Sequence, residues 1–292
     1  MIGTTRLEAN DLTFTVRTAG PDDGEPVLLL HGFPDDASTF DDLLERLGNA
    51  GYRCLAPTMR GYEPSAQPAD RDYAAMTLAG DVPAWLDAAG IDRAHVVGHD
   101  WGAAVAYVVA AHHADRCLSV TTMAVPPLAR IPQAIRHVPR QLVLSWYMTF
   151  FQLRWVAERA LRARQWALLR WFWPRWSPGV EAPPRLVETF GRPGVLTAAL
   201  AYYRQNATPP LLLGLRRNGA MEPLPFGVPL MVIHGDRDGC IDPRMFDHTI
   251  DEADVPHGVR RHVVRDTGHF AHVEDPDEVA RLLQDWFADP TP

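Results

Sequence analysis

The feature that most constrains this chain is the pentapeptide Gly98-His99-Asp100-Trp101-Gly102, wedged between two kinds of secondary structure. Ahead of it, Ala94–Gly98 is an apolar run suited to a strand buried on both faces. Behind it, Gly102–His112 is rich in Ala and Val and reads as a helix. A strand-to-helix turn this tight needs small residues two before and two after the exposed side chain. Gly98 and Gly102 supply them, and the turn lifts Asp100 out at the end of a strand. The plainer reading of the same residues is an Asp that merely caps the following helix.

The same alternation runs along most of the chain. Leu12–Thr18, Pro26–His31, Tyr52–Pro57 and Cys117–Met123 have strand patterning. Phe40–Leu47 and Asp81–Ala89 are helical by spacing, the latter stopped by Gly90. Near the C-terminus Pro229–His234 and Val259–Arg265 read as strands, and Pro243–Glu252 and Asp277–Phe287 as helices. Alternating strands and helices with buried strands predict an α/β fold, a doubly wound and mostly parallel sheet with right-handed crossovers. At such a sheet, active sites lie at the carboxyl ends of the strands.

The alternation breaks between residues 128 and 217, and there the charge changes sign. This segment holds 14 Arg against three acids (Glu158, Glu181 and Glu188), a local +11. The rest of the chain carries −19, which leaves the net −8. All 28 basic residues are Arg, and six of the nine Trp fall in the basic segment. An inserted helical unit is expected here, covering one edge of the sheet. An acidic remainder argues against a general nucleic-acid binder. Cys54, Cys117 and Cys240 have no metal-ligand spacing and are too few for a disulfide framework. The longest apolar run, Ala103–Ala111, is too short to span a bilayer, and no signal pattern opens the chain. A cytoplasmic protein without stable membrane insertion is the expectation.

Three more motifs sit at strand ends. His31-Gly32-Phe33-Pro34 follows the second strand, where a backbone N–H can join that of Trp101 in an oxyanion hole. Gly235-Asp236-Arg237-Asp238 and Gly268-His269-Phe270 follow the last two strands. A nucleophile, then an acid, then a His in chain order is the hydrolase arrangement.

With these residues in view, the chain resembles the α/β-hydrolase superfamily, specifically its epoxide hydrolase branch, over essentially its whole length. The resemblance implies an α/β-hydrolase fold, a mostly parallel eight-stranded sheet with a helical cap inserted after the sixth strand. The core is then 1–127 and 218–292, and the cap 128–217. It implies Asp100 as nucleophile, His269 as base and Asp238 as the acid behind it. Asp236 is the weaker candidate, and Thr121–Ala129 offers no carboxylate for the other position the superfamily uses.

Asp as nucleophile narrows the substrate by chemistry alone. Attack on an acyl carbon would give a mixed anhydride, whereas attack on a saturated carbon gives an ester that water can hydrolyse. An epoxide or an alkyl halide remains. An epoxide oxygen leaves as an alkoxide and needs a proton donor. The segment Ser145–Gln152 resembles the family stretch with the first such tyrosine, which maps onto Tyr147. Ala201-Tyr202-Tyr203-Arg204 resembles the second, where the family Tyr directly precedes an Arg, which maps onto Tyr203; neighbours on a helix point about 100° apart, so the two tyrosines cannot both aim at the nucleophile. Haloalkane dehalogenases also carry Trp after the nucleophile, as Trp101 does, but usually Asn at the position of Phe33. The expectation is therefore an epoxide hydrolase without cofactor or metal, with a haloalkane dehalogenase as the alternative. Its partners would be a small epoxide and water, with His31, Pro34 and Trp146 against the substrate; a homodimer stays open. The Trp of the insert would form a lid and pocket wall, and its Arg would complement the acidic body.

Overall fold

The computed structural model describes residues 1–214 and 225–290. Its first half runs β1 (Gly3–Ala9), β2 (Leu12–Ala19), β3 (Pro26–Leu30), α1 (Asp41–Asn49), β4 (Arg53–Pro57), α2 (Ala75–Ala88), β5 (Ala94–His99), α3 (Trp101–His112) and β6 (Cys117–Met123). Seven helices follow: α4 (Ile131–His137), α5 (Arg140–Leu144), α6 (Trp146–Phe150), α7 (Val156–Trp176), α8 (Arg185–Gly191), α9 (Val195–Asn206) and α10 (Pro209–Leu212). The chain then returns as β7 (Leu230–Gly235), β8 (Val259–Val264), α11 (Ala271–Glu274) and α12 (Pro276–Ala288). The division expected between residues 217 and 218 lies outside the described residues.

The sheet has eight strands in the order β1-β2-β4-β3-β5-β6-β7-β8. β2 runs antiparallel to both β1 and β4, and every other pairing is parallel. Alternate residues of the central strands feed two layers. Leu28, Leu30 and Val96 face the core under α2 and α3, whereas Val27, Leu29 and Val97 face α1 and α12. Each fully buried Leu, Val or Phe contributes roughly 1.5–3 kcal/mol. Burial on both faces is why β3 and β5 read as continuous apolar runs.

Three elements differ from the expectation, each for a local reason. β1 was not anticipated because its first four residues are exposed and carry no alternating pattern. Its hairpin signal is instead the turn at Asn10 and Asp11, both with positive φ (50° and 59°), the geometry of the tight turns that join paired strands. α2 begins at Ala75 rather than Asp81, because Ala75, Leu78, Ala79 and Val82 bury one stripe that outweighs Gly80 and Pro83. The helix expected over Pro243–Glu252 is two 3-10 turns, Pro243–His248 and Glu252–Asp254. Asp242 caps the first and Asp251 forms a capping box with Asp254 at the second, so local side-chain bonds divide the segment.

Candidate active site

Asp100 stands at the turn between β5 and α3 with φ 52° and ψ −117°, a conformation costly for a residue with a Cβ, by roughly 1–3 kcal/mol. The surroundings leave it little choice. A Cβ on Gly98 would come within 2.2 Å of the Gly102 carbonyl oxygen, and one on Gly102 within 1.9 Å of that of Leu30. The Asp100 carbonyl accepts from Ala103 and Ala104, starting α3, so the carboxylate sits beside the positive end of that helix.

Its two oxygens have different neighbours. Oδ1 accepts the Phe33 backbone N–H at 2.6 Å. Gly32 permits this approach, since a Cβ there would stand 2.4 Å from Oδ1 and 2.5 Å from the Trp101 nitrogen. Oδ2 faces Nε2 of His269 at 3.4 Å. On the other side of that ring, Nδ1 lies 2.9 Å from Oδ2 of Asp238. Asp238 Oδ1 accepts from the amides of Cys240 (2.7 Å) and Ile241 (3.0 Å), which holds the carboxylate still. Asp236 lies elsewhere, 3.8 Å from Arg265.

The charge state follows from these distances. Burial disfavours an imidazolium at His269, but the carboxylates of Asp238 and Asp100 outweigh it and push the pKa up to about 10. The other buried histidines nearby behave oppositely. Burial lowers His31 to about 4 and His99 to about 3, and holds His272 well below the usual range. Of these four, the His held between two carboxylates is the one whose surroundings favour the imidazolium.

Above Asp100 is a cavity lined by Trp101, Ala104, Val125, Leu128 and Ile131, with Tyr147, Met148, Tyr203 and Ile241 from the insert and the β7 loop. It is small, with about 20 Å³ open to a water-sized body. Tyr147 and Tyr203 are both buried, with ring centroids 5.8 Å apart. The Tyr147 hydroxyl contacts Cys240 Sγ at 3.3 Å, whereas the Tyr203 hydroxyl lies beside the Trp101 N–H and donates to no group among the described residues. Burial, with the Asp100 charge nearby, keeps both phenols protonated. Tyr202 is turned away and donates to the Arg60 carbonyl at 2.7 Å.

Three residues expected against the substrate stand outside this lining. The His31 ring accepts the Met59 N–H at 2.9 Å, which makes it a buried brace. The Pro34 carbonyl accepts from Trp173 Nε1 at 3.2 Å. Trp146 points outward, 43% exposed. No Trp of the insert lines the cavity, so the expected tryptophan wall is a wall of tyrosine and aliphatic side chains. The insert does reach the His269 loop by its backbone: the Trp176 carbonyl accepts from His269 (3.1 Å) and Gly239 (3.0 Å), and Ser177 Oγ from Phe270 (2.9 Å). Cys240, Trp176 and Ser177 carried no signal in the sequence, because their partners are 93 residues away in each side-chain contact.

Asp238, Cys240 and His269 place ligand-type atoms within 4.8 Å of one another. Internal partners already account for them, since the Asp238–His269 bond, the two amides on Asp238 and the Tyr147 contact satisfy that geometry.

A side chain raised on a strand-to-helix turn, a buried His–Asp pair behind it and a backbone N–H on its carboxylate define a hydrolase-type site on a doubly wound sheet. The chain belongs to the alpha/beta hydrolase fold family, whose model matches residues 25–276. Among its relatives, the AB hydrolase superfamily protein YfhM of Bacillus subtilis (strain 168) is 30% identical over 288 residues, covering 96% of each protein. Epoxide hydrolase 3 of Mus musculus is 26% identical over 283 residues, 95% of this chain and 74% of that protein. The crystal structure of Bacillus megaterium epoxide hydrolase with an inhibitor superposes with a TM-score of 0.84 at 23% identity, covering 98% of this chain and all (100%) of the other.

Proposed function

We propose that the chain is an epoxide hydrolase that forms a vicinal diol through an ester on Asp100, with residues 128–217 as cap over a core of 1–127 and 218–292. One juxtaposition carries this reading: two phenol hydroxyls share a small apolar cavity with a carboxylate poised to attack. Similarity to epoxide hydrolase 3 along 95% of the chain supports it.

In the first step Oδ2 of Asp100 attacks a ring carbon. The carbon–oxygen bond breaks, and its electron pair goes to the oxygen, which takes a proton from Tyr147 or Tyr203. In the second step water attacks the ester carbonyl, giving its proton to His269. The negative charge develops on Oδ1, which already accepts the Phe33 N–H, with the Trp101 N–H as second donor. Collapse breaks the bond between the ester carbon and the substrate oxygen, which takes the hydroxyl proton of the new carboxyl group; this releases the diol and restores the Asp100 carboxylate and the His269 imidazolium. No cofactor is needed for any of these transfers.

The resting imidazolium does not conflict with a base. Once Asp100 is an ester its charge is gone, and burial again pulls the His269 pKa down. The tyrosinate left by ring opening takes the imidazolium proton, so the phenol is restored and His269 enters the second step neutral. Asp100→Asn, which removes the same charge, is expected to lower the His269 pKa from about 10, read from its ring resonances in an NMR titration. An unchanged pKa would sink this account.

Substrate pockets usually span about 300–1,000 Å³. Admission therefore requires the helices carrying Tyr147 and Tyr203 to move away from α3. A haloalkane dehalogenase would use the same Asp100, and Trp101 after the nucleophile favours it, but a halide has no oxygen for the phenols to protonate. A panel of small aromatic and aliphatic epoxides beside haloalkanes separates the two. Diol without halide release is expected; halide release without diol would overturn the epoxide reading.

A further inference from the structure

The arginines of the insert divide into two groups. Arg130 pairs with Asp254 and Asp251, Arg140 with Asp242 and Arg185 with Asp35, binding the insert to the body. Arg204 takes Glu158 at 2.6 Å, and Arg192 takes Glu188. Complementarity to the acidic body thus accounts for only part of the excess. Arg154, Arg159, Arg162 and Arg164 make no ion pair and no side-chain hydrogen bond among the described residues, as is true of Arg136 and Arg170 elsewhere on the insert; all four are exposed, and Arg162 lies 5.7 Å over the Trp166 ring.

These four surround the start of α7, where Leu153, Trp155 and Val156 are exposed by 53%, 83% and 56%. Trp155, Arg159 and Arg162 line one shallow surface groove with Ala163 and Glu158. They fall at helical spacing on one side of the helix. Glu158 is the single acid there, and its carboxylate is taken up by Arg204. At Arg164–Trp166 the backbone turns left-handed (φ 50°, 56° and 64°), which ends this cationic, apolar stretch at an outward corner.

We propose that this face of the insert docks on an anionic lipid bilayer. Exposed Trp and aliphatic side chains beside unpaired Arg match the interface, where indole rings sit at headgroup level and guanidinium groups reach phosphates. The charge distribution also orients the molecule: a +11 insert over a −19 body turns the insert toward a negative surface and the body away. A second copy of the chain fits this face poorly, because a two-fold contact would set Arg159 and Arg162 against their own counterparts. Docking is peripheral, since no helix among the described residues is long and apolar enough to cross a membrane.

Flotation of the whole protein with vesicles tests this. Binding is expected to phosphatidylcholine vesicles containing phosphatidylglycerol and not to phosphatidylcholine alone. It should fade on going from about 0.01 M to about 1 M salt, where the screening length falls from ~30 to ~3 Å. Arg159→Glu with Arg162→Glu is expected to weaken partitioning by about 25-fold or more. Trp155→Ser should reduce whatever binding salt leaves behind. Circular dichroism checks that the variants fold, and Arg159→Gln with Arg162→Gln serves the same comparison if charge reversal does not. No binding, equal binding to neutral vesicles, or variants that bind like the parent would each overturn the proposal. So would a dimer in light scattering that the arginine variants dissolve.

Discussion

His269→Gln should stop the reaction after one round, leaving a protein heavier by the mass of one substrate. The reason is the separation of roles around Asp100. Oδ2 attacks without a base, because the Phe33 N–H on Oδ1 and the His269 ring beside Oδ2 hold the Asp100 side chain in place. Hydrolysis of the ester is different, since it needs a base for the water proton, and among the described residues His269 Nε2 stands 3.4 Å from Asp100. Loss of a triad member commonly costs about 10⁴-fold in turnover, and a loss of that order is expected here. The added mass should map to the peptide containing Asp100, and Asp100→Ala should show neither turnover nor adduct. A single turnover of the parent enzyme in ¹⁸O-water should put the label in Asp100 and leave the first diol unlabelled. Label in that first diol would rule out the covalent route.

The second large effect concerns the phenols. Tyr203→Phe and Tyr147→Phe should each slow epoxide opening, with the double variant losing about 10²–10⁴-fold, the usual span for general acid help. The two singles should not be equal. The Tyr203 hydroxyl lies beside the Trp101 N–H and donates to no group among the described residues, while that of Tyr147 is already engaged with Cys240 Sγ at 3.3 Å. Tyr203→Phe should therefore cost more. Rapid-mixing measurement of alkylation isolates the step. Equal rates for parent and double variant would remove the phenols from the mechanism and with them the case for an epoxide.

Much of this was legible in the sequence. The small residues around Asp100 have one steric use, and the structure displays it as contacts near 2 Å wherever a Cβ is added at Gly98 or Gly102. Continuous apolar runs marked β3, β5 and β7, because strands covered on both faces have no polar side to show. The charge changes sign at residue 128, just after β6, where the run of helices from α4 onward begins. What was hidden has a common cause. Trp146 was expected inside and Cys240 was passed over, yet Trp146 lies on the outer side of α6 and Cys240 touches Tyr147 across 93 residues of chain. Residue type states what a side chain can do, not which neighbour the fold will bring to it.

By itself, then, the amino-acid sequence determined the sheet, the position of the turn that raises Asp100 and the order of the groups that could act with it. These depend on periodicity, glycine sterics and chemistry carried within short segments. The tertiary structure put Asp238 rather than Asp236 beside His269 and Tyr203 rather than Tyr202 at the cavity, choices that residue type left open and only the family resemblance favoured. It also decided that Arg154, Arg159, Arg162 and Arg164, among other arginines of the insert, make no ion pair among the described residues. Each is a choice between near-identical neighbours in the chain, and only the packing of distant elements gives them different surroundings.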